Sequence, residues 1–328
     1  MFVDLRSDTM TRPTPAMRRA MAEAEVGNDA YGEDPTVNTL QEEFAARVGK
    51  QAALFVPSGT MANQLALRVL APPGTLVVAG RTSHIVAYEN GAGAYNTGAQ
   101  IHPVDDVREI ADVIAAAAHH QPSPSLVCVE NTQMAAGGVV VPVEEIKEVA
   151  AAGLPVHLDG ARLWNASVAT GIPMAAWAAE ATTVMCCLSK GLGAPVGSLL
   201  AGDADVIAEA RVHRHRLGGG MCQAGVLAAA GLVGLRTMVD RLADDHRRAA
   251  VLADAVRARW PGGGVEPPHT NIVTFRCDDA EGLIAHLDRA GVLAGTIAPG
   301  LVRLMTHNDV DDDGVARAVA AIGDYAGR

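Results

Sequence analysis

Lysine is rare in this sequence, and one of its three lysines follows a strongly apolar stretch. The three are Lys50, Lys147 and Lys190. Lys190 comes just after a run of β-branched, sulfur-containing and aliphatic residues at 182–188, which predicts a fully buried strand. Ligands bind at the carboxyl ends of strands in open α/β sheets, and a partly buried lysine can attack a carbonyl. A lone lysine at a strand end more often reaches only for solvent, so its role depends on its partners.

A turn of small residues earlier in the chain has the form of an anion site. Ser58, Gly59 and Thr60 separate a predicted strand at 52–56 from a helix that begins at residue 61. Free backbone N–H groups and the positive end of the helix dipole meet at such a turn. The same residues also suit an ordinary N-cap, so the turn alone does not establish a phosphate site.

Three further polar side chains follow predicted strands. His84 comes after the strand at 76–80, Asp159 ends a strand that begins near residue 154, and Arg162 is three residues further on. The carboxyl ends of parallel strands converge on one cleft. Pyridoxal 5′-phosphate requires a lysine for its aldehyde, a carboxylate for its ring nitrogen and an anion cup for its phosphate. Together with Lys190 and the small-residue turn, these residues predict a pyridoxal-phosphate site, in which Arg162 can bind a substrate carboxylate.

The elements that must position these residues form an α/β pattern. Strands alternate with helices from residue 52 to 202, which predicts a mostly parallel sheet between helices, with a last strand at 196–202 that can be antiparallel. Helices are predicted at 107–119 and, as one long helical stretch, at 223–260. A second alternation of strands and helices follows. We therefore expect an N-terminal arm at 1–14, which is polar and not a core element, a large domain at 15–240 and a small C-terminal α/β domain at 241–328.

Composition limits the possible partners and compartment. The formal net charge of −11 and the isoelectric point near 5.4 argue against nucleic acid or an anionic membrane as a partner. The charged N-terminus does not resemble a signal peptide, and no apolar run of about 18 residues predicts a membrane span. The five cysteines form no C-x-x-C motif, which favours unpaired thiols in a reducing cytoplasm. We predict no metal site.

Seven stretches spread over the whole chain resemble the low-specificity L-threonine aldolases, which are fold-type-I pyridoxal-phosphate enzymes. They are DLRSDTMTRPT from Asp4, YGEDPTVN from Tyr31, PSGTMANQ from Pro57, HLDGARLWNA from His157, LSKGLGAPVGSLL from Leu188, GGGM from Gly218 and LVRLMTH from Leu301. The resemblance implies the fold-type-I architecture and a retro-aldol cleavage of L-threonine, L-allo-threonine and related β-hydroxy-α-amino acids to glycine and an aldehyde.

The resemblance also implies a role for individual residues. Implied cofactor contacts are Lys190 at the aldehyde, Asp159 at the pyridinium, Ser58, Gly59 and Thr60 at the phosphate, and His84 stacked on the ring, with Arg162 also expected to contact the cofactor. Implied substrate contacts are Ser7, Arg162 and Arg303 at the carboxylate, and Tyr31 in the neighbouring subunit's site. Lys190, His84 and Asp159 would be the catalytic residues. The implied assembly is a homotetramer, a dimer of dimers with active sites at the dimer interface.

Two positions depart from the family pattern. Gln133 stands where the family usually has histidine, and Cys222 stands where it usually has arginine. A glutamine can position the substrate's β-hydroxyl but cannot remove its proton, which leaves His84 or a water as the base. The loss of the arginine removes a cation near the phosphate, which the basic residues at 213–216 can partly offset. A β-elimination, an aldol step with a bulkier aldehyde and a non-catalytic relic remain as alternatives.

Overall fold

The computed structural model describes residues 2–117, 120–262 and 265–327. Within these ranges the strands, numbered in chain order, are β1 Val3–Asp4, β2 Ala52–Val56, β3 Leu76–Gly80, β4 Gln100–Val104, β5 Pro124–Glu130, β6 Val156–Asp159, β7 Thr183–Cys187, β8 Ser198–Gly202, β9 Ile272–Arg276, β10 Val292–Leu293, β11 Gly295–Ala298 and β12 Leu301–Met305. The helices are α1 Pro15–Ala22, α2 Pro35–Val48, α3 Gly59–Leu70, α4 His84–Ala87, α5 Ala92–Thr97, α6 Ile110–Ala116, α7 Val143–Ala150, α8 Leu163–Thr170, α9 Met174–Ala178, α10 Ala204–Arg216, α11 Gly225–Thr237, α12 Leu242–Arg259, α13 Ala280–Arg289 and α14 Asp312–Gly323.

The main sheet has the strand order β2-β8-β7-β6-β5-β3-β4. β8 is antiparallel to both β2 and β7, and the other neighbours are parallel. Every residue of β7 is buried, as the apolar run before Lys190 predicts. Cys186 and Cys187 face separate hydrophobic clusters, because successive side chains of a strand point to opposite faces. The prediction of a mostly parallel sheet between helices is confirmed.

The long helical stretch predicted at 223–260 is two helices, α11 and α12, separated by residues 238–241. The two halves pack on different cores. α11 contacts α1 and α2 beside the main sheet, whereas α12 contacts β9 and α14. Local periodicity cannot reveal this break, because both halves are good helix formers and the break depends on tertiary packing. The helix predicted at 107–119 is a 3₁₀ turn followed by α6, and residues 118 and 119 lie outside the described ranges.

A second hydrophobic cluster lies around β9, α12, α13 and α14. The N-terminal segment belongs to it, because β1 pairs in parallel with β10 and places Val3 opposite Val292. Val3 and Leu5 are buried in this cluster, whereas Arg6 is exposed. The expectation that this segment is not a core element is therefore wrong. Its two-residue alternation is short and is obscured by the charged residues between the apolar ones.

Candidate active site

One cavity of about 220 Å³ lies where β5, β6 and β7 end and where α3 begins. Seven residues that the sequence predicts as site residues line it: Ser58, Gly59, Thr60, His84, Asp159, Arg162 and Lys190. They come from four separate parts of the chain. The cavity therefore brings together an amine, a carboxylate, an imidazole, a guanidinium and a helix N-terminus.

The small-residue turn caps α3 and also leaves two backbone N–H groups free to bind an anion. The hydroxyl of Ser58 caps α3 by accepting a hydrogen bond from Met61 N at 3.1 Å. The amides of Gly59 and Thr60 donate no hydrogen bond to any described residue. They lie at the positive end of the α3 dipole, which stabilises a bound anion. The two interpretations of this turn are thus compatible.

Asp159 is buried and is held in place by two donors. Its Oδ1 accepts a hydrogen bond from Ala161 N at 3.1 Å, and its Oδ2 accepts one from Asn63 Nδ2 at 2.8 Å. The side-chain oxygen of Asn63, Oδ1, lies 3.0 Å from His157 Nε2. Burial lowers the pKa of His157 to about 4, so its imidazole is neutral and Nε2 carries the proton that it donates to Asn63. This contact fixes the orientation of the Asn63 amide and, through it, the Asp159 carboxylate.

His84 is oriented by a buried carboxylate. Its Nδ1 lies 2.8 Å from Glu89 Oε1, and the second oxygen of Glu89 accepts a hydrogen bond from Gln64 at 2.6 Å. The hydrogen bond with Glu89 raises the pKa of His84 above its ordinary value, although burial opposes it. His84 Nε2 makes no hydrogen bond to a described residue. Nε2 is therefore available as a proton acceptor.

Glu130 joins the segments that carry His84 and the 133–139 turn. Its two carboxylate oxygens accept hydrogen bonds from His84 N at 2.6 Å and from Met134 N at 2.8 Å. Burial and the charge of Asp159 raise the pKa of Glu130. Glu130 also lines a neighbouring cavity of about 340 Å³. It is therefore part of the wall between the two cavities.

Arg162 and Arg303 both contact the N-terminal segment. Arg162 forms a buried bidentate ion pair with Asp8, with both N–O distances at 2.7 Å. Arg303 donates one hydrogen bond to the carbonyl of Arg6 at 2.9 Å, and its Nη1 lies 3.1 Å from Met134 Sδ. The Nε of Arg303 is buried and has no hydrogen-bond partner in the described part of the chain.

Four predicted site residues do not line the cavity of Lys190: Ser7, Tyr31, Gln133 and Arg303. The hydroxyl of Ser7 caps a 3₁₀ turn through Thr9 N. Tyr31 is 76% exposed. Gln133 is exposed and lines the neighbouring cavity, so its expected place at the substrate hydroxyl is not supported by this geometry. Arg303 contacts Met134, and Met134 does line the cavity.

Four polar residues of the site were not predicted as functional: the buried Asp8, Asn63 and Glu89, and the partly buried Glu130. Asn63 and Gln64 carried a usable signal, since two adjacent amides inside an otherwise apolar helix require buried partners. Asp8 and Glu89 lie in polar segments, where the sequence does not distinguish a buried carboxylate from a solvated one.

Among the described residues, no cluster of His, Cys, Asp and Glu could hold a metal ion, and no helix could span a membrane.

The chain is similar to known proteins in sequence and in fold. Residues 4–280 match the family model described as beta-eliminating lyase. The probable low-specificity L-threonine aldolase 2 of Arabidopsis thaliana is 43% identical in an alignment of 335 positions, gaps included, that covers 94% of this chain and 93% of the relative. The low specificity L-threonine aldolase of Escherichia coli K12 is 39% identical in an alignment of 332 positions, gaps included, that covers 97% of this chain and 98% of the relative. The threonine aldolase of Leishmania major superposes with a TM-score of 0.85 over 98% of both chains at 22% identity, a likeness of fold.

Proposed function

The chain belongs to the beta-eliminating lyase family, and from that premise we propose that it is a pyridoxal-phosphate-dependent aldehyde-lyase. It cleaves L-threonine, L-allo-threonine and related β-hydroxy-α-amino acids to glycine and an aldehyde. The observation that carries this proposal is the single cavity that holds Lys190, Asp159, His84 and Arg162 beside the N-terminus of α3.

The donor set of the cavity fits pyridoxal phosphate. The unbonded amides of Gly59 and Thr60 would hold the phosphate, the Asp159 carboxylate would hold the ring nitrogen, and the Lys190 amine would bond to the aldehyde. When bound, the cofactor supplies an electron sink for the bond that breaks at the substrate's Cα. Asn63 and Ala161 keep the Asp159 carboxylate fixed for this contact.

The substrate is oriented by charge. We infer that Arg162 and Arg303 hold its carboxylate, with Ser7 nearby, because the buried Arg303 Nε lacks a partner among the described residues and a carboxylate would supply one. Fixing the carboxylate restricts rotation about the substrate's Cα, so that the bond to Cβ can be held in the reactive orientation. His84 Nε2 would accept the proton of the β-hydroxyl, while Glu89 stabilises the resulting imidazolium.

We also infer a homotetramer, a dimer of dimers with active sites at the dimer interface, and a cytoplasmic location. The exposed ring of Tyr31 supports a contact with a second subunit. The buried, unpaired thiols of Cys186 and Cys187 suit a reducing compartment.

Cys222 is exposed, and the nearby Arg214 forms an ion pair with Asp29 at 2.5 Å, so we do not assign Arg214 to the phosphate.

The proposal is tested by trapping and by product analysis. Borohydride should fix the cofactor covalently on Lys190, and the Lys190→Ala variant should show neither trapping nor glycine release. Lys147→Ala is a matched control, since Lys147 lies on the exposed side of α7 and should change nothing. Threonine should yield glycine and acetaldehyde. Label on Lys50 or Lys147, or a 2-oxo acid in place of glycine, would overturn the proposal.

A further inference from the structure

The N-terminal segment lies between the two arginines that we assign to the substrate carboxylate. Arg162 follows β6 of the main sheet, and Arg303 lies on β12 of the smaller sheet. Asp8 binds Arg162 through its side chain, and the carbonyl of Arg6 binds Arg303. Residues 6–8 therefore join two guanidinium groups that belong to different sheets.

The ion pair with Asp8 uses only part of the Arg162 guanidinium. A guanidinium has five N–H donors in a planar fork. Nε and one N–H of Nη2 donate to the two oxygens of Asp8. Nη1 makes no hydrogen bond to a described residue, and Arg162 lines the cavity. The N–H groups at the far end of the guanidinium, on Nη1 and Nη2, therefore remain for a ligand. Because Asp8 fixes the guanidinium, it also sets the direction in which these N–H groups point.

Asp8 is held as an anion in a fully buried position. Burial alone would raise its pKa, but the charges of Arg162 and Lys190 and a hydrogen bond from Asn271 lower it to about 2. The charge of Asp8 also counteracts the repulsion between the guanidinium groups of Arg162 and Arg303. Two cations and one anion leave this group with one net positive charge.

We propose that Asp8 is a positioning residue that orients Arg162 and, as a built-in counter-ion, makes the arginine pair selective for a ligand with one carboxylate. This inference rests on the proposed function, because it assigns the arginine pair to the substrate's α-carboxylate. A single carboxylate neutralises the remaining charge. A second carboxylate on the ligand would meet the Asp8 anion after the charges of both guanidinium groups had been balanced. Without Asp8, the pair would carry two positive charges and a mobile guanidinium.

The experiment compares binding of propionate and succinate to the holoenzyme by calorimetry. The wild-type protein should prefer propionate. Asp8→Asn should shift this preference towards succinate by roughly tenfold, because a close charge that changes by one unit is worth at least that much in a poorly solvated site. It should also raise KM for threonine about tenfold or more with a smaller change in kcat. Cofactor affinity and borohydride trapping should not change.

Two variants serve as controls. Asp4→Asn removes a carboxylate of the same segment that forms its ion pair with the exposed Arg6, and it should leave all these values unchanged. Asp8→Glu keeps the negative charge on a longer side chain. It should retain the preference for propionate over succinate even if the longer side chain lowers the affinity for both ligands.

Succinate binding as tightly as propionate in the wild-type protein would overturn the proposal without any variant. So would an Asp8→Asn protein whose carboxylate preference is unchanged. Calorimetry does not require turnover, so a failure of the proposed lyase activity would appear separately, as carboxylate binding without release of glycine.

Discussion

At the scale of single residues, the pair of His84 and Glu89 determines the pH dependence that we expect. The hydrogen bond that His84 Nδ1 donates to Glu89 raises the pKa of His84. A base must be neutral, so kcat/KM should rise with pH through the pKa of His84 in the free enzyme. Glu89→Gln removes the main cause of the raised pKa, and the acidic limb of the profile should therefore move to lower pH. His84→Asn should abolish the limb and lower kcat by on the order of 100- to 10,000-fold.

The control for this prediction is Tyr88→Phe. The ring of Tyr88 stacks on His84 with centroids 5.7 Å apart, and the variant removes only its hydroxyl. The groups that face His84 are otherwise Glu89, Asp159, Glu130 and Lys190. An acidic limb that stays in place in Glu89→Gln would mean that the limb reports another of these groups.

The predictability of the site differs from residue to residue. Lys190, Asp159 and Arg162 could be predicted because each follows a buried strand, and the ends of parallel strands converge. Gln133 is predicted at the substrate because of its place in a motif, but its side-chain direction depends on the 133–139 turn. That turn is held by Glu130, which accepts hydrogen bonds from Met134 N and from His84 N, 46 residues away in the sequence. Lys50 lies in a polar turn, yet it is half-buried and donates a hydrogen bond to the carbonyl of Ala181 at 2.6 Å, a contact that local sequence does not reveal.

At the scale of elements, the contact between α3 and β7 positions the phosphate end of the site. Gly59 adopts an ordinary backbone conformation, so a side chain there would be limited only by space. A Cβ at this position would lie 2.8 Å from Cys187 Sγ and 3.1 Å from Met185 Cε. Gly59→Ala should therefore lower the free energy of unfolding by about 1–3 kcal/mol through overpacking. It should also weaken cofactor binding, because the start of α3 must move.

A double-mutant cycle tests this steric cause. Cys187→Ala removes the closest atom, so Gly59→Ala should cost less in that background than in the wild-type protein. Unfolding of the apoprotein gives the stabilities, and titration gives the cofactor affinity. Equal costs in both backgrounds would show that Cys187 does not restrict this position. Pattern analysis predicts α3 and β7 as elements but not the close approach of their ends.

At the scale of the whole molecule, the sheet could be predicted and the arrangement of the two cores could not. Alternation of strands and helices is local information, and it gives the parallel sheet. The pairing of Val3 with Val292 joins opposite ends of the chain, and no local pattern contains it. This pairing gives the N-terminal segment its path between the sheets. That path brings Asp8 to Arg162.

The assembly can be tested through residues that one subunit would contribute to another. Tyr31 is exposed, lies outside the cavity of Lys190, and is one of few aromatic residues in the chain. If it completes the neighbouring subunit's site, Lys190→Ala and Tyr31→Ala proteins should each be inactive or weak alone. A hybrid dimer would contain one site with both residues intact, so an equal mixture should recover roughly a quarter of wild-type activity if subunits associate randomly. The measurement is glycine release after the two proteins are co-refolded or co-expressed. Hybrids that form but recover no activity would show that Tyr31 acts within its own subunit, and a Tyr31→Ala protein that is fully active alone would show that Tyr31 does not act in the site.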